Sequence, residues 1–423
     1  MNKIEELVYH LVYRNPKLKL AIRNLYQGCY DLLPKQKDFY LFKYDYKEGF
    51  YLGFHDLPVL SDDDTKCLVQ KLSFDGRMPK AGESESVGYL DVDKNGKFGD
   101  FHKLADTFAW NYHKGCRLQW CRKDEIIFNT AIDGKMIAKI IHIGTLNSNN
   151  LQFPIDTISP DYTKAITFSY ERLEYCMPGY GYPYQDGEAF LNENFPKETG
   201  LFIADMETGE RKLLVSLYDL AMTAPEEFLN DHMHYVTHSE FSHDGRYISF
   251  LHRWIRNEGT NLKRWTRIMV YDLQNSSFVE LPSQISGSHY VWNKKHQLLA
   301  SCIIDGKSCH VLFDMNDIAN IKIVAGDILN SDGHQSFIDD DTFITDTYPD
   351  KRRMAKLYKV HIPTQKVELI ANTYSPKAFQ SFRTKKAGHV ACDLHPRVSR
   401  SGKYVTFDCP STGRRGIYIM KLD

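Results

Sequence analysis

Four histidines occupy one recurring position in the chain, four residues ahead of a turn that opens a strand-like run. They are His238, His289, His334 and His395, and the stretch "DLHPRVSRSGKYVTFD" shows the pattern. Neutral imidazole nitrogen binds divalent metal ions and accepts protons near neutral pH. Where one structural unit repeats, equivalent positions share one geometry. The sequence therefore predicts that these imidazoles converge on a metal or substrate site.

The unit that repeats is an apolar or aromatic strand that ends at a turn and is followed by another strand. Seven copies occur, among them "GLFIADMETGERKLLV", "RIMVYDLQNSSFVEL" and the last, "GIYIMKLD". They align on Val92, Leu146, Met206, Leu273, Met315, Ile362 and Leu422. The steps of roughly 40 to 70 residues match four-stranded propeller blades with variable loops. The sequence therefore predicts an all-β fold, a seven-bladed β-propeller.

The two ends of the chain complete this prediction. The last copy stops at Asp423, before a fourth strand, so we expect "FYLFKYDY", from Phe39 to Tyr46, to close the ring. Residues 1–37 carry apolar residues at helical spacing, which predicts a short N-terminal helical extension ahead of a propeller at residues 38–423. This extension either caps one propeller face or docks on a partner or a membrane surface.

Composition and charge exclude several classes of protein. Lys plus Arg total 53 and Asp plus Glu total 54 in 423 residues, a formal charge of -1 that attracts no nucleic acid. No apolar run is long enough to span a bilayer, and the first residues carry no cleavage signal. The nine cysteines are scattered and fit reduced thiols. We therefore expect a cytoplasmic protein without a transmembrane segment.

The histidine position has a counterpart in every predicted blade. Counting back four residues from each turn also gives Leu57, Arg117 and Ile155. Side chains at this position are expected to point toward the central channel, and Gln335, next to His334, adds a possible oxygen ligand. The alternative is structural: a histidine at such a position hydrogen-bonds a neighbouring turn, and Gln335 is a solvated loop amide.

Several segments resemble those of the oligogalacturonate lyases, which are cytoplasmic seven-bladed propellers, and of related propellers from polysaccharide gene clusters. The segments are "HSEFSHDGRYISFLHRW", "SHYVW", "GHQSFIDDDTFITDTYPD" and "CDLHPRVSRSGKYVTFD", with a weaker match in "FYLGFHDLPVLSDDD". In these lyases three histidines and a glutamine hold manganese, another histidine acts as base, and arginines bind uronate carboxylates. The resemblance implies an acidic oligosaccharide as substrate.

Carried over to this sequence, the resemblance implies a divalent metal at His289 and His395, with His334 and Gln335 completing the ligand set. Manganese is favoured, and zinc and calcium stay open. His238, the remaining histidine of the four, is then the base. The chain departs from the family in its last blade, where "VACDLHPR" replaces a Gln-x-x-His-Pro-His cluster and Asp393 stands in place of a histidine.

Three arginines are candidates for the catalytic site. Arg117 stands at the aligned position of its blade and suits bidentate recognition of a carboxylate. Arg172 and Arg253 lie at the ends of predicted inner strands, toward the same face. The alternative for each is a surface or inter-blade salt bridge.

A long insertion from Tyr175 to Gly200 is dense in tyrosine, glycine and proline. Aromatic rings beside a channel mouth make good platforms for sugar faces, so Tyr180 and Tyr182 are candidate substrate contacts. The alternative is a loop that packs on its own tyrosines.

Two functions follow from these patterns. The first is a metal-dependent, lyase-like enzyme that acts by β-elimination on uronic-acid-containing oligosaccharides, with a cation to neutralise the carboxylate and a base to remove the adjacent proton. The second is a non-catalytic carbohydrate-binding or scaffold propeller in surface-polysaccharide biosynthesis, with a structural metal. A peptidase is not expected, since the sequence has no Gly-x-Ser-x-Gly motif.

Overall fold

Short strands and tight turns build most of the described part of the chain from residue 39 onward. The computed structural model describes residues 27–258, 261–380 and 389–423. The strands in these ranges form seven antiparallel sheets of four or five strands each. The all-β, seven-bladed propeller predicted from the repeats is confirmed. The predicted N-terminal helices fall mostly on residues 1–26, outside the described residues.

The first blades follow two short strands, β1 (Phe39–Tyr40) and β2 (Tyr44–Glu48). Blade one contains β3 (Phe50–Tyr51), β4 (Lys66–Lys71), β5 (Glu85–Val92) and β6 (Phe98–Thr107). Blade two contains β7 (Gln119–Trp120), β8 (Glu125–Ile132), β9 (Lys135–His142) and β10 (Ser148–Leu151). Blade three contains β11 (Thr157–Ile158), β12 (Lys164–Thr167), β13 (Gly200–Asp205) and β14 (Arg211–Ser216).

The remaining blades follow the same order. Blade four contains β15 (His232–Phe241), β16 (Tyr247–Glu258), β17 (Asn261–Asp272) and β18 (Ser277–Glu280). Blade five contains β19 (Tyr290–Trp292), β20 (Gln297–Ile304), β21 (Lys307–Asp314) and β22 (Asp317–Val324). Blade six contains β23 (Gln335–Asp339), β24 (Thr342–Asp346), β25 (Met354–His361) and β26 (Lys366–Tyr374). Blade seven contains β27 (Arg397–Val398), β28 (Tyr404–Cys409) and β29 (Gly416–Lys421).

Strands from the two ends of the chain meet in blade seven. β2 pairs antiparallel with β29, with Tyr44 opposite Met420, and supplies the fourth strand of that blade. β1 instead pairs with β26 as a fifth strand of blade six, with Phe39 opposite Asn372. The predicted closing segment is therefore divided between two neighbouring blades.

The turn after each innermost strand explains why the repeat is visible in the sequence. At 61–63, 159–161 and 242–244 a serine hydroxyl donates to the aspartate two residues later, at 2.6 Å in all three turns. Such serine and aspartate turns stabilise a tight reversal locally. They fix where the second strand of the blade begins, because the N–H of its first residue donates to the turn serine, and so they fix where the residue four positions before the turn lies.

Two short helices lie in the connections of blade three, one at the start of the insertion and one after β14. Helix α1 (Tyr170–Cys176) begins at Ser169, whose side chain accepts the N–H of Arg172. Helix α2 (Leu217–Met222) begins with a capping box between Ser216 and Asp219. No helix within the described ranges is long and apolar enough to cross a membrane.

Candidate metal and substrate site

The four predicted histidines all lie around one aromatic ring, that of Phe54. This residue follows β3 in blade one and is 3% exposed. Its ring centroid lies 4.8 Å from that of His238, 5.8 Å from His289, 6.0 Å from His334 and 5.1 Å from His395. Histidines from four blades thus meet at one point, but a phenylalanine, which the repeat pattern did not predict, occupies the middle.

Three of these imidazoles form a continuous row, which we call the histidine row: His289, His334 and His395. Neighbouring ring centroids in the row are 4.0 Å and 4.3 Å apart. His55, the residue after Phe54, joins the row with its ring 5.1 Å from that of His334. The pattern alignment placed Leu57 at this point of blade one, so it missed the histidine two residues earlier.

Hydrogen bonds fix the orientation of each imidazole in the histidine row. Nδ1 of His289 lies 3.1 Å from a carboxylate oxygen of Asp332, and Nδ1 of His334 lies 2.9 Å from Asp346. Nδ1 of His395 lies 2.8 Å from a main-chain carbonyl of blade one. Because these oxygens only accept hydrogen bonds, Nδ1 carries the proton, and Nε2 keeps its lone pair for a ligand.

Two buried polar atoms near the row have no hydrogen-bond partner among the described residues. They are Nε2 of His395 and Oε1 of Gln335. The amide nitrogen of Gln335 is already used, since it donates to the hydroxyl of Ser301 at 2.6 Å and to the carbonyl of Gly333 at 2.9 Å. Both orphaned atoms are electron-pair donors, which is the property that a cation requires.

A second group of ligand atoms meets at His395. Within the described ranges, His113, Asp393 and His395 are the residues whose potential ligand atoms all lie within 4.8 Å of one another. Nδ1 of His113 is 3.9 Å from a carboxylate oxygen of Asp393, and its Nε2 is 2.7 Å from Nδ1 of His389. Asp393 thus places a carboxylate, a group that can ligate a metal ion, beside these two imidazoles.

Burial holds most of these imidazoles neutral. It lowers the pKa of His55, His113, His238 and His395 well below 6.5. Burial opposes the charged form of His334 as well, but nearby carboxylates, Asp346 first, raise the pKa of that residue above its usual value.

Burial acts in the opposite direction on the carboxyl groups of the site, because it raises their pKa. Burial raises the pKa of Asp393 to about 6, and the charge of His334 opposes this rise. Burial also works against the ionised form of Asp332, yet the adjacent His289 outweighs it and lowers the pKa of Asp332 below its usual value. The site thus combines neutral nitrogen donors with a carboxyl group that loses its proton close to neutrality.

The backbone of His238 is held in the left-handed region, with φ of 57°. Arg117 and His395, at the aligned positions of their blades, have φ of 57° and 45°. A left-handed conformation costs a residue other than glycine about 1–3 kcal/mol and persists only where surrounding contacts enforce it. For His238 one such contact is Ser239, whose N–H and hydroxyl donate to Asp156 at 2.8 and 2.9 Å.

The bidentate face of Arg117 is occupied by Asp56 of the neighbouring blade, which is the inter-blade salt bridge given as the alternative; the role in binding a substrate carboxylate stays a prediction. The two terminal nitrogens of Arg117 donate to the two oxygens of Asp56 at 2.9 and 2.7 Å. Its Nε donates to the carbonyl of Asp156 at 2.6 Å, and the side chain is fully buried. The aligned residues Leu57 and Ile155 are buried as well and belong to the core.

The other two arginines lie in different surroundings. Arg172 donates to main-chain carbonyls of the insertion and of His234, at 3.1 and 3.2 Å, so it holds the insertion rather than the channel. Arg253 is 5% exposed, and its Nε donates to the hydroxyl of Thr266 at 3.0 Å. Burial lowers the pKa of His238 most, Lys114 comes next, and the positive charge of Arg253 adds to the effect.

The two predicted tyrosines also separate. Tyr180 stacks on His113 with ring centroids 4.9 Å apart and an interplanar angle of 12°, and its hydroxyl lies 3.2 Å from Nε2 of His389. Tyr182 is 1% exposed and donates to the carbonyl of Gly115 at 3.0 Å. Tyr180 lies at the candidate site, whereas Tyr182 packs in the core, as the alternative of a loop that packs on its own tyrosines has it; a contact of Tyr182 with substrate stays a prediction.

The candidate site is recognised by its potential metal-ligand atoms and not by the size of its cavity. A cavity of about 10 Å³ lies between Phe54, His238 and His289, close to the smallest volume that holds one water molecule. Two larger cavities, of about 470 Å³ beside α1 and about 540 Å³ on blade five, have no histidine in their walls.

Comparisons with known proteins agree with this architecture. No protein-family model matches the sequence, and no curated protein matches it either. An oligogalacturonate lyase in complex with manganese has a TM-score of 0.60 at 14% identity, covering 92% of this chain and 99% of its own. The oligogalacturonate lyase of Vibrio parahaemolyticus has a TM-score of 0.57 at 11% identity, with coverages of 92% and 99%.

A third structure shares only the propeller. The tricorn protease has a TM-score of 0.52 at 11% identity and covers 93% of this chain, but only 34% of the protease chain takes part. The lyases, in contrast, match over nearly their whole lengths. The structural resemblance to oligogalacturonate lyases implied by the sequence motifs is therefore confirmed at the level of the fold.

Proposed function

We propose that this protein is a metal-dependent, lyase-like enzyme that cleaves uronic-acid-containing oligosaccharides by β-elimination. One observation carries the proposal: Nε2 of His395 is buried and has no partner among the described residues, at the point where the histidine row meets His113 and Asp393. A buried nitrogen left unpaired costs folding free energy, so a bound ion, ligand or water is expected to satisfy it.

The donors at this point fit a divalent cation. Neutral imidazole nitrogens and a carboxylate oxygen form a mixed set of the kind that first-row divalent metals accept. Carboxylates and a carbonyl behind the row orient the imidazoles, as the outer partners of metal-binding histidines do. The proposed ligands are His395, Asp393 and His113, with His289, His334 and Gln335 adjacent. Manganese, the ion in one similar lyase structure, is the first metal to test.

The chain supplies a base on the other side of Phe54. Burial keeps the imidazole of His238 neutral, and its ring lies 5.8 Å from that of Tyr180. In the proposed reaction His238 takes the proton from the carbon next to the uronate carboxylate. The electrons of that C–H bond form a double bond to the neighbouring carbon, the C–O bond to the next sugar breaks, and the leaving oxygen takes up a proton.

Charge and shape around the substrate come from neighbouring groups. When bound, the divalent cation supplies positive charge that neutralises the carboxylate as negative charge builds up on it. The positive charge of Arg253 acts on His238, and the ring of Tyr180, 5.8 Å from that of His238, would contact the sugar. Together these groups select an acidic sugar rather than a neutral one.

The test is an assay for the unsaturated product. Purified protein is supplied with manganese and with oligogalacturonates and other oligouronates, and the ultraviolet absorbance of the new conjugated double bond is recorded. Absorbance should rise with the metal, stop when a chelator is added, and fall at least about a hundredfold in His238→Ala, the usual contribution of a general base. No absorbance change with any oligouronate, although metal is bound, would disprove the activity.

A further inference from the structure

Tyr180 reaches the candidate site on a tight turn between two glycines. A Cβ atom on Gly179 would lie 2.7 Å from Cβ of His389, and one on Gly181 would lie 2.4 Å from the carbonyl oxygen of Tyr170. Gly179 also has φ of +92°, a conformation that favours glycine. The turn is therefore packed closely on both sides, and Tyr180 is held within it.

One carboxylate binds both ends of this turn. Oε2 of Glu174, on α1, accepts the N–H of Gly179 at 2.9 Å and the N–H of Gly181 at 3.1 Å. These amides flank Tyr180 directly, so a single side chain fixes the backbone before and after it. Hydrogen bonds to an ionised acceptor are about twice as strong as neutral ones. Burial raises the pKa of Glu174 to about 7, so the carboxylate is ionised in assays above that pH.

Asn111 connects the same turn to the loop that carries His113. Its amide nitrogen donates to the carbonyl of Gly181 at 3.0 Å. Its carbonyl oxygen accepts the N–H of His113 at 3.0 Å and of Lys114 at 2.7 Å. The stacking of Tyr180 on His113 is thus set through hydrogen bonds on both sides, from Glu174 below the turn and from Asn111 beside it.

We propose that Glu174 is a positioning residue, which holds the ring of Tyr180 against His113 so that the phenol forms one wall of the substrate site. This inference rests on the proposed function, because it gives Tyr180 a sugar ring to contact. A preorganised aromatic wall improves binding, since the side chain does not have to be ordered when the substrate arrives. Glu174 itself acts only through Tyr180.

The test compares two variants of the same helix at about pH 8.5. Glu174→Gln keeps the shape and removes the charge, and Glu171→Gln is the matched control, since Glu171 accepts the N–H of Asp186 instead. In Glu174→Gln we expect hydrogen exchange of the amides at 177–181 to become about tenfold faster and KM for an oligouronate to rise about tenfold. kcat should change less than about twofold, and Glu171→Gln should change neither quantity.

The same substitution made in a protein that already lacks the Tyr180 ring separates positioning from a general loss of stability. In the Tyr180→Ala protein, Glu174→Gln should raise KM no further, because coupled residues are not additive. An equal further rise would overturn the inference, and so would unchanged exchange at 177–181 in the single variant. If the wild-type protein turns over no oligouronate, the proposed function fails, and the exchange experiment alone still decides whether Glu174 holds the turn.

Discussion

Replacing Asp156 by asparagine should destabilise the protein more than any single surface change, and it should disturb His238. The carboxylate of Asp156 is fully buried and accepts a hydrogen bond from the ammonium group of Lys114 and, at 2.9 Å, from the hydroxyl of Tyr170. It also accepts both donors of Ser239 and lies 3.2 Å from Nε of Arg117. Asparagine fits the same space but carries no charge, and it turns an NH₂ group toward some of these donors.

The magnitude follows from the buried charges. Removing one partner of a buried ion pair costs about 3–5 kcal/mol, because the other charge stays buried without compensation. Here two cations, Lys114 and Arg117, lose a shared carboxylate, although Arg117 keeps Asp56. Lys114 can avoid carrying an uncompensated charge. Burial already lowers its pKa to about 8, and it releases its proton when residue 156 is neutral. We therefore expect a loss of about 3 kcal/mol.

The sign of the pH dependence gives an independent check. Burial raises the pKa of Asp156, but Arg117 and Lys114 outweigh it and hold the pKa below 3.8. A carboxyl with a lowered pKa stabilises the folded state above the unfolded-state pKa, and this contribution is lost as the pH falls below it. The stability difference between wild type and Asp156→Asn should thus be full at pH 6 and shrink below about pH 4.

Urea unfolding followed by circular dichroism measures both effects. Asp161→Asn is the matched control, because Asp161 lies exposed in the turn of the same blade, where it accepts from Ser159 at 2.6 Å. The control should cost about 1 kcal/mol. If Asp156→Asn costs no more than this control, or if its cost does not depend on pH below 4, the reasoning about the buried network is refuted.

Two further predictions concern the site, and a third concerns His252, which pairs with His234 and Arg267 elsewhere in blade four. Phe54→Ala should cost about 3–5 kcal/mol in urea unfolding, since the ring is 3% exposed and its removal leaves a cavity; a cost below about 1 kcal/mol would contradict its central packing. Asp393→Asn should weaken manganese binding in calorimetry at least about tenfold, and unchanged affinity would remove Asp393 from the ligand set. His252 is buried with a lowered pKa, so the unfolded chain takes up a proton there before the folded protein does. Below pH 6.5 the free energy of unfolding of wild type should therefore fall by about 1.4 kcal/mol per pH unit relative to that of His252→Gln. A difference that does not change with pH would contradict a neutral His252.

The fold was predictable because its signals are local. Blades one, three and four repeat a turn in which serine donates to the aspartate two residues later, and this chemistry acts within five residues. The same turns fix the position of the residue four places earlier, which is why His238, His289 and His395 were found together with His334. Because equivalent positions of repeated blades share one geometry, a local pattern predicts which residues lie at the centre of the ring.

The contacts across blades were not predictable, because they join distant parts of the chain. Arg117 meets Asp56, 61 residues earlier, and nothing near either residue indicates that pairing. His113 meets His389 across 276 residues. Phe54 looks like an ordinary apolar residue after a strand, and only the closed ring places it among the histidines. Long-range partners decide which polar side chains stay available for a ligand.

Metal analysis of the purified protein tests the central claim most directly. After dialysis against manganese, inductively coupled plasma mass spectrometry should find about one divalent ion per wild-type chain. His395→Ala should lose it, while His102→Ala, at an exposed position on β6, should keep it. A wild-type protein that retains no divalent ion, or a His395→Ala protein that binds manganese as tightly as wild type, would contradict the assignment of this site.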